Sequence, residues 1–106
     1  MPITNIQTST GEKILCQAGA SEKRAVLTIT FCNTTAVDHT VTMYAYATGG
    51  TAGDGTTVFK TLTVPALDTY SWEKNNGYVL MNSDVISAVS DAASCITATV
   101  NYYVFV

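Results

Sequence analysis

Arg24-Ala25-Val26-Leu27-Thr28-Ile29-Thr30-Phe31-Cys32-Asn33 decides the fold class. Leu27, Ile29 and Phe31 fall at alternate positions, with Thr28 and Thr30 between them. Successive side chains of a strand point to opposite faces, so this order sorts apolar from polar. A helix would mix the two sets, because residues three apart share its face. The segment therefore predicts a half-buried β-strand.

The same period recurs on both sides of it. Lys13 to Ala18 reads as a short strand with Ile14 and Cys16 on one face. Thr40 to Thr48 alternates with Val41, Met43, Ala45 and Ala47 inward, which leaves Thr42, Tyr44 and Tyr46 on the other face. Thr48 to Thr56 holds Gly49-Gly50, Gly53 and Asp54-Gly55 and predicts a loop. Thr57 to Val64 follows as a strand, stopped by Pro65, which has no N–H to give a ladder. Further strands are predicted over Asp68 to Lys74, Tyr78 to Met81, Val85 to Ser90 and Ser94 to Val106. Asn75-Asn76-Gly77 and Asn82-Ser83-Asp84 read as turns between them. In the last strand Ile96, Ala98, Val100, Tyr102 and Val104 share a face, and the end is apolar on both faces. About eight short strands at intervals of about 8–12 residues predict an all-β antiparallel sandwich, jelly-roll or immunoglobulin-like, or a barrel. The 106 residues fit a single domain spanning 1–106, with no linker, repeat or charge run.

Only 12% of residues are charged, against about 25% in ordinary soluble domains. The mean hydropathy is +0.22 and the net charge −3. A surface with few ionic groups loses water at little cost, which suits a subunit packed against other chains. The acidic balance and the single basic pair, Lys23-Arg24, argue against a nucleic-acid partner, which requires several cations on one face. That pair reads as a solvated strand start. The residues from Met1 to Asn5 lack the cationic and apolar runs of an export signal, and Ala92 to Val106 falls short of the about 20 residues of a membrane helix. No membrane partner is expected. The three cysteines, Cys16, Cys32 and Cys95, then read as reduced, buried thiols, with a Cys32–Cys95 bridge as the alternative.

No catalytic constellation is legible, and the chain is not expected to be an enzyme. His39 is the only histidine, and its neighbour Asp38 would point to the opposite face of a strand. It reads as a solvated turn residue. The carboxylates Glu12, Glu22, Asp38, Asp54, Asp68, Glu73, Asp84 and Asp91 fall mostly at turns, where aspartate caps backbone. No cofactor is expected, and no cysteine and histidine spacing suggests zinc. No loop has the closely spaced oxygens of a calcium site, though Asp54 and Asp84 were the nearest candidates. The Gly49 to Gly55 loop lacks the Gly-Lys-Ser/Thr ending of a phosphate cradle. Trp72 with Tyr70 on one strand face could stack a sugar ring, although the ordinary place for such a pair is the core or a subunit interface.

The run Val64-Pro65-Ala66-Leu67-Asp68-Thr69-Tyr70-Ser71-Trp72, followed by Val79-Leu80-Met81-Asn82-Ser83-Asp84-Val85-Ile86-Ser87-Ala88, resembles a pattern of small virion proteins of tailed bacteriophages. Asn33-Thr34-Thr35 before Val41-Thr42-Met43-Tyr44 also resembles that family. The likeness covers roughly residues 25–105 and departs at Ser83, where the family pattern has glycine. It implies a β-sandwich virion subunit: a capsid decoration (cement) protein, trimeric, seated on the major capsid protein and assembled in the host cytoplasm. A neck or fibre component, or a carbohydrate- or receptor-binding module using Tyr70 and Trp72, is the alternative. The aromatic and apolar residues left outside the core, Tyr44, Tyr46, Tyr103, Phe105 and Val106, are the expected subunit interface.

Overall fold

Alternation fixes which face each strand buries, and the chain then has to find a partner for each ladder. It does so by folding back on itself. The computed structural model describes residues 3–105, and the side chains of those residues except 74–78 and 105. Its strands are β1 (Ile3–Gln7), β2 (Lys13–Gln17), β3 (Lys23–Asn33), β4 (His39–Tyr46), β5 (Thr57–Val64), β6 (Thr69–Met81), β7 (Val85–Ser90) and β8 (Ile96–Phe105). Strand β1 pairs with β8, β2 with β7, β3 with β6 and β4 with β5, all antiparallel. The chain is thus one long ribbon, doubled about the glycine-rich loop between β4 and β5. That loop, with Gly49 at φ +87° and a 3-10 turn over Asp54–Thr56, is the tip of the ribbon.

The ribbon then rolls up. Strand β8 lies against β3, and β7 against β4, which gives two four-stranded sheets in the orders β1-β8-β3-β6 and β2-β7-β4-β5. Every connection except β4 to β5 crosses from one sheet to the other. This is the jelly-roll arrangement of an antiparallel sandwich. It settles the choice left open by the sequence, since an immunoglobulin domain orders its strands differently.

The core lies between the sheets. Val26, Ile29 and Phe31 of β3 and Ile96, Ala98 and Val100 of β8 face Val41 and Met43 of β4 and Ile86 and Ala88 of β7, all buried. Phe31 meets Phe59 edge-on at 5.6 Å and Tyr70 in a stacked arrangement at 6.5 Å, so three rings join the sheets. Such pairs add about 1 kcal/mol each beyond burial.

The count of eight strands matches the sequence reading, but the membership differs. Strand β1 was not expected. Its residues Ile3-Thr4-Asn5-Ile6-Gln7 carry little apolar signal, and the strand exists because β8 offers it an edge. Asn75-Asn76-Gly77 is not a turn: it lies inside β6, which unites the two segments predicted separately. Glu73 pairs with Thr28 and Tyr78 with Val26, so residues 74–77 stand opposite Leu27 alone. The Asn-Asn-Gly segment forms a bulge rather than a reversal. That irregularity also resets β3, where Val26 and Ile29 both point inward and Leu27 is only half-buried, contrary to its expected core position. A second bulge, between Ile14 and Cys16, buries Leu15 beside Cys16 and leaves Ile14 exposed, again against expectation. Ala47 lies beyond the end of β4 and is exposed, and Val104 is exposed near the end of β8.

Rolling the ribbon requires three corners, each built from two connections side by side. At the first, the β1–β2 and β7–β8 loops join through Ser94 N–H to Thr8 O at 2.9 Å and Ser90 N–H to Ser9 O at 2.8 Å. At the second, Ala18 N–H reaches Asp84 O at 3.2 Å. At the third, Asn33 N–H reaches Asp68 O at 2.9 Å and Leu67 N–H reaches Thr35 O at 3.0 Å. Each corner contains a non-glycine residue with positive φ: Ser94 (+56°), Asn82 and Ser83 (+52° and +72°), and Leu67 (+57°).

Asn33 ties the third corner together. It is fully buried, its Nδ2 donates to Val37 O at 2.8 Å and Val64 O at 2.9 Å, and its Oδ1 accepts from Thr35 N–H at 2.9 Å and Thr35 Oγ1 at 2.8 Å. The amide has two donor hydrogens and two acceptor lone pairs, and all are engaged. The Asn-Thr-Thr triplet is therefore a structural device here, with its amide facing the core.

Asn33→Ala is expected to destabilise the fold by about 3 kcal/mol, because it empties part of the core and removes the amide's bonds to the buried Val64 O and the part-buried Val37 O and Thr35 N–H. Urea unfolding of the variant beside the parent measures this. Ser83→Gly is expected to act in the opposite sense, by about 1 kcal/mol, because glycine adopts positive φ without the Cβ clash. A rise in melting temperature of about 5 °C would register it.

Candidate functional site

The outer face of the first sheet carries the most conspicuous apolar surface. Ala25 of β3 lies between Val79 of β6 and Tyr103 of β8, directly opposite each in register. Lys23, two residues earlier on the same face, lies between Met81 and Phe105. Directly opposite residues place their Cβ atoms about 5 Å apart, so the side chains of Ala25, Val79 and Tyr103 adjoin, as do those of Lys23 and Met81. Val79 is 49%, Met81 41% and Tyr103 51% exposed. The alternation that buries Leu80 and Val26 inside necessarily turns Val79, Met81 and Ala25 outward. The patch sits near the end of the sandwich where β8 finishes and on the side of the edge strand β6.

The expected interface residues do not form one surface. Tyr103 belongs to this patch. Tyr44 and Tyr46 lie on the outer face of the second sheet, half-buried and opposite Ser87 and Val85 of β7. They shield β7, whose residues 85–88 are all buried, so their cross-strand packing is part of the fold. Tyr46 also donates its hydroxyl to Glu12 Oε2 at 2.6 Å. That carboxylate, with partial burial, holds the phenol above its ordinary pKa. The Phe105 side chain and Val106 lie outside the described residues. Val79 and Met81 escape the sequence reading because Tyr78 to Met81 is short and apolar throughout, with no alternation to assign its faces.

Tyr70 and Trp72 do not make a stacking platform. Both point between the sheets: Tyr70 joins the Phe31 and Phe59 rings, and Trp72 is only 8% exposed. Their positions opposite Phe31 and Ile29, both in the core, dictate this. A sugar ring needs an open aromatic face, so the burial counts against a carbohydrate site here.

The charged groups are distributed over the corners. Asp38 accepts Ala66 N–H at 2.9 Å, and Asp84 accepts Thr48 N–H at 3.3 Å and Met81 N–H at 3.1 Å through its two oxygens. These aspartates cap turns, as their sequence positions suggest, and Asp84 has both oxygens occupied. Asp54 is held by Lys60 Nζ at 3.2 Å on the exposed tip loop. The basic pair splits. Lys23 faces solvent, whereas Arg24 is half-buried, its guanidinium 4.8 Å above the Tyr102 ring and its Nε 2.5 Å from Glu22 Oε1. The Gly19 N–H and the Arg24 guanidinium hold the Glu22 carboxyl below its usual range.

His39 departs from the sequence expectation of a solvated turn residue. Its side chain is 16% exposed, and its Nδ1 lies 3.0 Å from Asp91 Oδ1, which also accepts Thr40 N–H at 3.1 Å. Cys95 lies beneath them, buried, and the ligand atoms of His39, Asp91 and Cys95 all fall within 4.8 Å of one another. The β7–β8 loop of the first corner meets the start of β4 and so joins them across 52 residues of chain, which no local spacing could announce. Cys16, Cys32 and Cys95 are all free thiols, and burial pushes the Cys16 thiol up.

Comparison with protein-family models, with curated proteins and with solved structures gave no match.

The Tyr46–Glu12 bond carries a pH signature. Because the folded phenol pKa is raised above its unfolded value of about 10, the contribution is present below that pH and is lost as pH rises through the folded pKa. In an alkaline titration read by phenolate absorbance, Glu12→Gln is expected to lower the pH at which Tyr46 ionises, with Tyr46→Phe identifying its component. Stability at neutral pH should change by less than about 0.5 kcal/mol.

Proposed function

We propose that this chain is a structural virion subunit, a capsid decoration protein that binds the outer surface of the shell as a trimer and stabilises it. The observation that carries the reading is the exposed apolar patch of Val79, Met81 and Tyr103 around Ala25. Exposed apolar clusters rimmed by polar residues mark interaction surfaces. The low charge content works in the same direction, because such a surface is readily desolvated. The jelly roll is also an architecture of viral capsid proteins, an analogy of fold that by itself assigns no function. The mechanism is energetic: a trimer that spans several shell subunits binds the assembled state alone and so favours it by mass action. Joining three copies raises the effective concentration of each contact.

Light scattering after size exclusion tests the oligomer. A trimer is expected for the parent chain, and Met81→Glu with Tyr103→Glu is expected to return a folded monomer with an unchanged far-ultraviolet spectrum. A parent chain that stays monomeric at every concentration would remove the trimer. A trimer indifferent to both substitutions would move the interface elsewhere. Binding of the trimer to shells of the major capsid protein, and failure of the doubly substituted chain to bind, is the corresponding test of the partner.

A further inference from the structure

We propose that His39, Asp91 and Cys95 form a binding site for a divalent cation of the zinc class. The three side chains supply an imidazole nitrogen, a carboxylate oxygen and a thiol sulfur, the donor set zinc uses. Calcium and magnesium require oxygen ligands throughout and do not fit a site with sulfur and nitrogen.

The geometry is close to what the ion needs. Two ligands bound at about 2.0 Å in a tetrahedron lie about 3.3 Å apart. His39 Nδ1 and Asp91 Oδ1, 3.0 Å apart, already define nearly such an edge. The cation takes the place of the hydrogen between them, and the neutral imidazole carries its single proton on Nε2 while Nδ1 binds the ion. Cys95 Sγ, now donating to Ala92 O at 3.2 Å, completes the third vertex by turning towards the ion. The fourth vertex faces the exposed side of Asp91 and takes water. Charge balances: one carboxylate, one thiolate and a neutral imidazole neutralise a dication. The Cys95 thiol proton leaves to solvent on binding.

The surroundings are built to hold this arrangement. Thr40 N–H donates to Asp91 Oδ1, while Asp91 N–H donates to Thr40 O at 3.2 Å, so the carboxylate is fixed against the start of β4. Thr34 N–H binds Cys95 O at 3.1 Å and ties the third corner to the cysteine's backbone. Outer-shell bonds of this kind orient metal ligands. A bound ion staples β4 to the β7–β8 corner, a role disulfides would fill in a small domain whose three cysteines are free.

The test uses the whole chain, stripped with chelator and kept under a phosphine reductant. Cobalt(II) is expected to bind one equivalent with a near-ultraviolet thiolate-to-metal charge-transfer band, zinc to displace it, and zinc to raise the melting temperature. His39→Gln and Cys95→Ala are each expected to abolish the band and weaken zinc binding more than about tenfold, since even outer-shell losses reach that size. Cys32→Ser should retain both. The parent titration decides the first arm on its own, and His39→Gln the second should Cys95→Ala fail to fold. Absence of the charge-transfer band in the parent chain, or its survival in Cys95→Ala, overturns the site.

Discussion

The Asn33 amide is the contact on which the rolled ribbon most depends. It sits where β3 leaves one sheet and β4 enters the other, and it bonds to the end of β5 at the same point. A chain turning there buries carbonyls and N–H groups that neither sheet can pair. A side chain with two donors and two acceptors satisfies several of them at once. Leucine or valine in its place would fill the volume and leave the backbone groups stranded, which is why a polar residue occupies a fully buried position in a core that is otherwise almost wholly apolar.

The other corners solve the same problem with different chemistry. Asp84 caps two N–H groups, and Thr8 Oγ1 donates to Ile96 O at 3.1 Å, as its own N–H does at 2.8 Å. Among the described residues, four of the five non-glycine positions with positive φ lie at corners; the fifth, Thr61, lies in β5, where the register with β4 is irregular and Thr61 N–H bonds Thr42 Oγ1 at 2.9 Å. Strain is thus confined to places where hydrogen bonds over-determine the backbone. Of the runs that resemble a virion family, Asn33-Thr34-Thr35, Val64-Pro65-Ala66 and Asn82-Ser83-Asp84 map to corners, while residues 41–44, 69–72 and 85–88 lie in β4, β6 and β7. These residues turn the chain and build its sheets, and of the exposed patch the runs contain Val79 and Met81 but not Tyr103.

Pairing of first strand with last gives the fold a long-range character. Strand β1 cannot form its ladder until β8 exists, and β2 needs β7. Such contacts close long loops before they return any stabilisation, which makes folding slow relative to local architectures. It also leaves the apolar segment around Val79 to Met81 on an edge strand, with both side chains exposed.

What the sequence by itself determined is the strand periodicity. Period-two alternation over residues 29–33, 40–46 and 96–102 sorts inside from outside through local geometry alone, and Pro65 ends its strand for want of an N–H. The tertiary structure decided everything that depends on which strands meet. Asn75-Asn76-Gly77 carries the chemistry of a turn, yet pairing on both sides of the bulge keeps it in β6. Leu27 and Ile14 fit an inward pattern, yet bulges shift the phase. Tyr70 and Trp72 suit a core, an interface or a ligand by residue type, and the pairing opposite Phe31 and Ile29 places them in the core. His39 acquired Asp91 and Cys95 only when the ribbon rolled. Alternation is a property of neighbours along the chain, whereas corners, bulges and side-chain clusters follow from contacts between residues far apart in it.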